Sequence, residues 1–218
     1  MANDLLSRPF GVRTHTGPAA PGRGAWVWMG RMAVAAVRPA VPEDVGEIVR
    51  IQAGTWETAY SGLVPAAAVA QLRSPEAHRA WTAAVTAGGA HHVLVATEGE
   101  WTVGFVAAAP AAAPGGAAAQ PAPTLGAEAW AEVGALLVEP RWGRRGHGGR
   151  LLATVAQALR ADGAVYGLAW VPEADAATRK FYSGAGWEPD GTVRVLDTGE
   201  GELREVRVTG ALDLTLTP

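Results

Sequence analysis

The stretch AEVGALLVEPRWGRRGHGGRLLATVAQALR, residues 131–160, decides the fold. Its first part, Ala131–Val138, is an apolar run of strand length, and Pro140 ends it. A basic, glycine-rich turn follows at Gly143-Arg144-Arg145-Gly146-His147-Gly148-Gly149. A helix is predicted over Gly149–Ala161, because Leu151, Leu152, Val155 and Leu159 recur at helical spacing and make one apolar face. Asp162-Gly163 stops it. In this order the N–H groups of the turn and the positive end of the helix dipole point into one small volume, which suits a phosphorylated ligand. Arg141, Arg144, Arg145 and Arg150 add charge that matches phosphate oxygens. Read by itself, a glycine-rich solvent-facing turn is the alternative. A Walker A loop is excluded, since no Lys-Ser/Thr follows the glycines, and the Rossmann spacing does not fit.

Working outward, Ala33–Ala40 reads as a first strand and Pro42-Glu43-Asp44 as the start of a helix that fades near Gly54–Thr58. Tyr60-Ser61-Gly62 reads as a turn, Pro65–Leu72 as a short helix, and Ser74-Pro75-Glu76 as the cap of another running to Ala87. His91–Ala96 and Trp101–Ala108 make a hairpin about Glu98-Gly99-Glu100. Pro110–Gly126 is rich in Ala, Pro and Gly, and is expected to be a mobile loop at 110–129, with folding over the site as the alternative. Val165–Val171 is a strand and Asp175–Tyr182 a short helix capped by Asp175. Trp187, Thr192–Leu196 and Arg204–Thr209 close the sheet, the last two around Gly199-Glu200-Gly201. The pattern predicts an α+β, three-layer αβα domain with a mixed, mostly antiparallel sheet and flanking helices, in a single domain over 33–218. Residues 1–32 read as a flexible extension; Trp26, Trp28 and Met29 packing on the domain is the other reading.

Composition narrows the class. A 218-residue chain that is 49% hydrophobic can bury a sizeable core. A net charge of -3 gives no bulk attraction to nucleic acid. There is no cysteine, which removes disulfides, thiolate metal sites and a cysteine nucleophile, and fits a cytoplasmic setting. No apolar run is long enough to suggest a membrane span. His91 and His92, adjacent and without an evident carboxylate partner, read as structural or exposed rather than as metal ligands.

At this point the chain resembles the GCN5-related N-acetyltransferase superfamily. The family's pyrophosphate motif, Q/R-x-x-G-x-G/A, falls on Gly143-Arg144-Arg145-Gly146-His147-Gly148, with Gly143 standing where the family has Gln or Arg. Asp175-x-x-Thr178-x-x-Phe181-Tyr182-x-x-x-Gly186-Trp187 is similar to its N-x-x-A-x-x-F-Y-x-x-x-G-F signature, with Asp, Thr and Trp replacing Asn, Ala and Phe. The likeness covers roughly Val34–Thr209 and implies an N-acetyltransferase that moves the acetyl group of acetyl-CoA to an amine. It implies that the backbone of Leu136, Leu137 and Val138 pairs with the pantetheine arm. The amides of Arg144, Arg145, Gly146, His147, Gly148 and Gly149 would hold the pyrophosphate, with Asp175 and Arg179 also on the cofactor side. No metal is called for.

Tyr182 is the expected acid beside the CoA sulfur; its alternative is a ring packed in the core next to Phe181. Glu132 is the candidate base, directly or through water, and otherwise an orienting or surface carboxylate. Even spacing would put Glu132 and Val138 on one face, unless a bulge of the kind usual in the family intervenes. The ring of His147 is expected to matter less than its backbone. Trp56, Tyr60 and Trp170 are expected to line the acceptor site, or else to fill core. With no cysteine for an acyl-enzyme, direct attack in a ternary complex is expected. The partner would be a small-molecule or peptide amine, with no nucleic acid or membrane, and a homodimer is a candidate assembly. A catalytically inactive acyl-CoA-binding domain, or an acyltransferase using a longer acyl-CoA, are the alternative functions.

Overall fold

A computed structural model describes residues 35–60, 62, 64–112, 129–199 and 201–214. The expected extension at 1–32, and the expected mobile loop apart from residues 110–112 and 129, lie outside these. Seven strands form one sheet in the order β1-β2-β3-β4-β5-β7-β6. They are β1 (Ala35–Pro39), β2 (His92–Glu98), β3 (Trp101–Ala111), β4 (Trp130–Val138), β5 (Tyr166–Pro172), β6 (Glu188–Asp197) and β7 (Glu202–Ala211). Helices α1 (Val45–Ala59), α2 (Ala66–Gln71), α3 (Pro75–Thr86), α4 (His147–Ala161) and α5 (Ala176–Gly184) flank it. All ladders are antiparallel except β4–β5, whose parallel pairing is closed by a crossover through α4. The expected three-layer αβα class with a mixed, mostly antiparallel sheet is what forms.

Each sheet face carries its own core. Leu151, Leu152, Val155 and Leu159 of α4 pack on Val106, Ala131, Val133, Ala169 and Val208, together with Tyr182 and Trp187. Val45, Ile48, Val49 and Ile51 of α1, with Trp81 of α3, cover Val95 and Phe105 on the other face. Burying an aliphatic side chain of this size contributes roughly 1.5–3 kcal/mol, so the apolar strands, covered on both faces, and the striped helices supply most of the driving force.

Four boundaries differ from the sequence reading. Helix α1 does not fade at Gly54–Thr58: it continues to Ala59, with Thr58 Oγ1 donating to the Gly54 carbonyl (2.8 Å) and Tyr60 buried at its end. Tertiary burial outweighs the helix cost of Gly54 there. Strand β3 runs through Pro110 to Ala111, paired with β4, beyond the expected end at Ala108. Helix α4 begins two residues early, at His147, because Gly146 adopts a left-handed conformation (φ 79°) as its N-cap. Strand β6 reaches back to Glu188, with its register slipping between Pro189 and Val193.

One local irregularity matters most. Ala107 pairs with Ala135 while Ala108 pairs with Val133, so Gly134 is an extra, exposed residue in β4. This β-bulge reverses the in–out alternation along the strand. Ala131 and Val133 before it, and Leu136 and Val138 after it, all face the α4 core. Even spacing therefore does not put Glu132 and Val138 on one face. Glu132 instead shares the α1 side with Ala135 and Leu137.

Candidate active site

The parallel β4–β5 ladder is short. It joins Trp130 to Tyr166, Ala131 to Gly167 and Glu132 to Leu168, and then the strands part. From Val133 to Val138, β4 is paired only on its β3 side. Main-chain groups on the β5 side are left to find other partners, which makes this edge a template for an extended ligand. The gap opens at the carboxyl ends of two parallel strands, where helices α4 and α5 begin.

At the head of the gap sits the basic turn. Gly143 N–H donates to the Pro140 carbonyl (3.0 Å) and Arg150 N–H to the Gly146 carbonyl (3.0 Å). Among the described residues, none of the six N–H groups between them, Arg144 to Gly149, donates to a protein atom. Arg144 (φ 60°) and Gly146 (φ 79°) are both left-handed, and they curl the chain so that these donors converge above the helix N-terminus. Gly148 is there for closeness: a Cβ on it would lie 3.3 Å from Phe181 Cε2 and 3.8 Å from Leu136 Cδ2. It lets the first turn of α4 pack tightly against α5 and β4.

The arginines divide. Arg141 is tied to Glu139 (2.9 Å), which also receives Arg50 (3.0 Å), and Arg145 is tied to Glu98 (3.1 Å). Burial pushes the Glu139 carboxyl up, but the Arg50 and Arg141 contacts together outweigh this and hold it below the ordinary carboxylate range. Among the described residues Arg144 and Arg150 have no acidic partner, and both are exposed. The His147 ring is buried, with Nε2 2.9 Å from Glu98 Oε2.

Tyr182, from α5, is 4% exposed, stacked on Trp187 (5.3 Å between centroids, 21° between planes) and edge-on to Phe181 (5.2 Å). Burial is what raises its hydroxyl well above the ordinary tyrosine pKa. The large Trp187 indole fits because two glycines make room. A Cβ on Gly167 would sit 2.2 Å from the indole, and one on Gly210 2.3 Å. The indole Nε1 donates to the Ala211 carbonyl (3.1 Å).

Tyr60, at the end of α1, reaches α5: its hydroxyl donates to Asp175 Oδ2 (3.1 Å). Burial first, then the Asp175 and Glu205 carboxylates, raise its pKa, and Tyr182 is near enough to contribute. Asp175 also accepts from the Thr178 N–H (2.9 Å) and hydroxyl (2.7 Å), so its carboxylate is engaged in capping α5 and anchoring Tyr60. Arg179 is exposed on α5. Trp56 is half-buried and meets Tyr60 edge-on at 5.1 Å. Glu132 is half-buried on the α1 side of β4, opposite Leu168. Trp170 lies on the same side of β5, with the Arg194 guanidinium 4.4 Å and that of Arg207 5.7 Å from its ring. Those arginines pair with Glu205 (2.6 Å) and Asp190 (2.7 Å).

The structure thus brings Tyr60, Asp175 and Tyr182 together, and sets the turn and the free β4 edge around one gap. Sequence reasoning did not find Glu98, Glu139, Arg194, Glu205 or Arg207 at this end of the sheet. Glu139 stands beside the turn but finds Arg50 only across the fold, and the other four are distant in sequence from the turn and are gathered by strand pairing. His92 has a carboxylate partner after all, Asp162 at the end of α4 (2.5 Å), although the sequence around it showed none. Among the described residues no group of three or more His, Asp or Glu side chains gathers, and no helix is long and apolar enough to cross a membrane.

The description "Acetyltransferase (GNAT) family" matches residues 56–187. No curated protein matches the chain. Among solved structures, PaiA N-acetyltransferase from Thermoplasma acidophilum in complex with coenzyme A superposes with a TM-score of 0.63 at 14% identity, over 82% of this chain and 99% of that one. Ribosomal-protein-alanine N-acetyltransferase from Brucella melitensis gives 0.62 at 19%, over 81% and 99%. The yncA protein from Salmonella typhimurium with its cofactor acetyl-CoA gives 0.61 at 17%, over 85% and 98%. At such identities the likeness speaks for the fold.

Proposed function

The chain belongs to the acetyltransferase (GNAT) family, and from that premise we propose that it transfers the acetyl group of acetyl-CoA directly to an amine of a small-molecule or peptide acceptor, in a ternary complex. The observation that carries this reading is the run of six unengaged N–H groups at Arg144–Gly149, set beside a β4 edge that has lost its β5 partner. The residues fit the group: a pyrophosphate suits the converging donors and Arg144, and an amide-bearing arm suits the free strand edge. Two of the similar structures were solved with coenzyme A or acetyl-CoA, which supports the same ligand here.

When bound, acetyl-CoA supplies an already activated thioester, so positioning and proton management are the protein's share. Leu136, Leu137 and Val138 align the arm through their main chain. Tyr182 holds a proton at Oη for the departing sulfur, and burial keeps that proton in place at neutral pH. Glu132, on the α1 side, takes a proton from the acceptor amine, directly or through water. Trp56 and Tyr60 form a wall for the acceptor. Trp170 is braced by Arg194 and Arg207, and in this reading contributes the edge of its ring.

A thiol-release assay with acetyl-CoA over a broad panel of amines tests the proposal. Turnover with at least one amine, and its loss with longer acyl-CoA donors, is the expected outcome. Tight coenzyme A binding with no release from any amine would instead point to a regulatory acyl-CoA-binding domain. Faster release from succinyl- or longer thioesters would point to a different acyl donor.

A further inference from the structure

The same free N–H groups that suit Arg144–Gly149 to an anion leave this turn without main-chain donor bonds of its own. It also contains two left-handed residues, Arg144 and Gly146, the first of them a strained choice for a non-glycine. Something outside the turn must hold its shape. That restraint comes from β2. Glu98, the last residue of the strand, places one carboxylate oxygen on Arg145 Nη1 (3.1 Å) and the other on His147 Nε2 (2.9 Å). The two gripped residues flank the left-handed Gly146. The His147 side chain is 2% exposed and that of Glu98 19%. Trp142 backs the pair, edge-on to the His147 ring (6.5 Å) and beneath the Arg145 guanidinium (4.9 Å). Arg150 closes the arrangement by donating to the Arg145 carbonyl (3.3 Å).

We propose that Glu98, acting through the buried His147 ring, is a positioning residue that keeps the phosphate-binding turn in its ligand-ready shape before any ligand arrives. This rests on the acetyl-CoA reading above. Positioning and simple electrostatics predict opposite effects of removing Glu98. A carboxylate beside an anion site repels the anion and draws off the charge of Arg145, so on charge alone its removal should tighten binding. If Glu98 holds the turn, its removal loosens binding, because the donors no longer converge without an ordering cost.

Calorimetric titration of the full chain with coenzyme A separates the two. His147→Leu fills the ring's volume without a donor; His147→Gln keeps an N–H donor near the Nε2 position; Glu98→Ala removes the acceptor. His147→Leu loses the one buried bond to Glu98, and Glu98→Ala loses that bond and the solvent-exposed one to Arg145, so both should weaken coenzyme A binding about tenfold, with His147→Gln within about threefold of wild type. In turnover the KM for acetyl-CoA should rise in step while kcat stays nearly constant, a split that general destabilisation would not produce. Should His147→Leu fail to fold, Glu98→Ala alone decides. Unchanged or tighter binding by Glu98→Ala, or equal weakness of the Gln and Leu variants, overturns the positioning role. Wild type that binds no coenzyme A overturns the acetyl-CoA reading and this one with it.

Discussion

Replacing Tyr182 by phenylalanine should separate chemistry from packing in a single step. The ring is 4% exposed and wedged between Trp187 and Phe181, and phenylalanine reproduces all of that contact. Only the hydroxyl is lost. It is a group that burial disfavours as an anion, which raises its pKa and keeps it a proton donor rather than a base. Stability should therefore stay within about 1 kcal/mol of wild type, since no well-formed buried hydrogen bond has to be given up for the deletion. Coenzyme A affinity should also hold, because the turn and the β4 edge are untouched. Loss of a positioned general acid typically costs about 10²–10⁴-fold in rate, or roughly 3–5 kcal/mol of barrier. The assays are a denaturant melt, a coenzyme A titration and initial rates with saturating acetyl-CoA. A Tyr182→Phe enzyme within about threefold of wild-type kcat, folded and binding normally, would refute the acid role and leave Tyr182 as core. The sign of the pH dependence is also set: with its pKa raised, Tyr182 should add no alkaline fall in rate below its ordinary value near ~10.

Three further outcomes follow from local geometry. Gly148→Ala places a Cβ 3.3 Å from Phe181, so the Phe181 ring or the first turn of α4 has to give by a few tenths of an ångström; coenzyme A binding should weaken by roughly three- to tenfold with a stability change under about 1 kcal/mol. Gly167→Ala drives a methyl to 2.2 Å from Trp187 and should cost about 3 kcal/mol or more in a denaturant melt, while pairing it with Trp187→Phe should recover a large part; strictly additive losses would sink the slot argument. Asp44 accepts two bonds from Arg38 (2.6 and 2.8 Å), which lower its pKa ahead of the opposing effect of burial. Its folded pKa lies below the unfolded one, so the unfolded chain binds more protons in acid. The contribution is complete above the unfolded value near ~3.9 and is lost as pH falls through the folded one. Asp44→Asn should flatten that part of the stability profile; an unchanged acid limb would count against it.

Much of the architecture was legible because it is local. The apolar stripe Leu151, Leu152, Val155, Leu159 specifies its helix by period, and the apolar runs of β2 and β3 on either side of Glu98-Gly99-Glu100 specify their hairpin. Boundaries failed where tertiary contact overrides propensity, as at Gly54, which stays helical because Tyr60 beyond it is anchored to Asp175. The candidate site was legible in part. The turn and Tyr182 sit in contiguous motifs, whereas Glu98 looked like one more hairpin residue until β2 was laid beside the turn.

The sequence by itself determined the order of elements, the glycine-rich turn with its free donors, and the tyrosine that follows it, since each depends on residues within a few positions of one another. Which side of the sheet Glu132 faces, what grips the turn, and which arginines remain free were decided only by the tertiary structure. A single extra residue, Gly134, reverses the alternation of β4. The carboxylates that neutralise Arg141 and Arg145 are brought in by strand pairing and tight turns. Periodicity carries no information about a bulge, and charge counts carry none about who pairs with whom. The opening stretch therefore specified a phosphate socket, and the fold decided how that socket is held and where the chemistry beside it points.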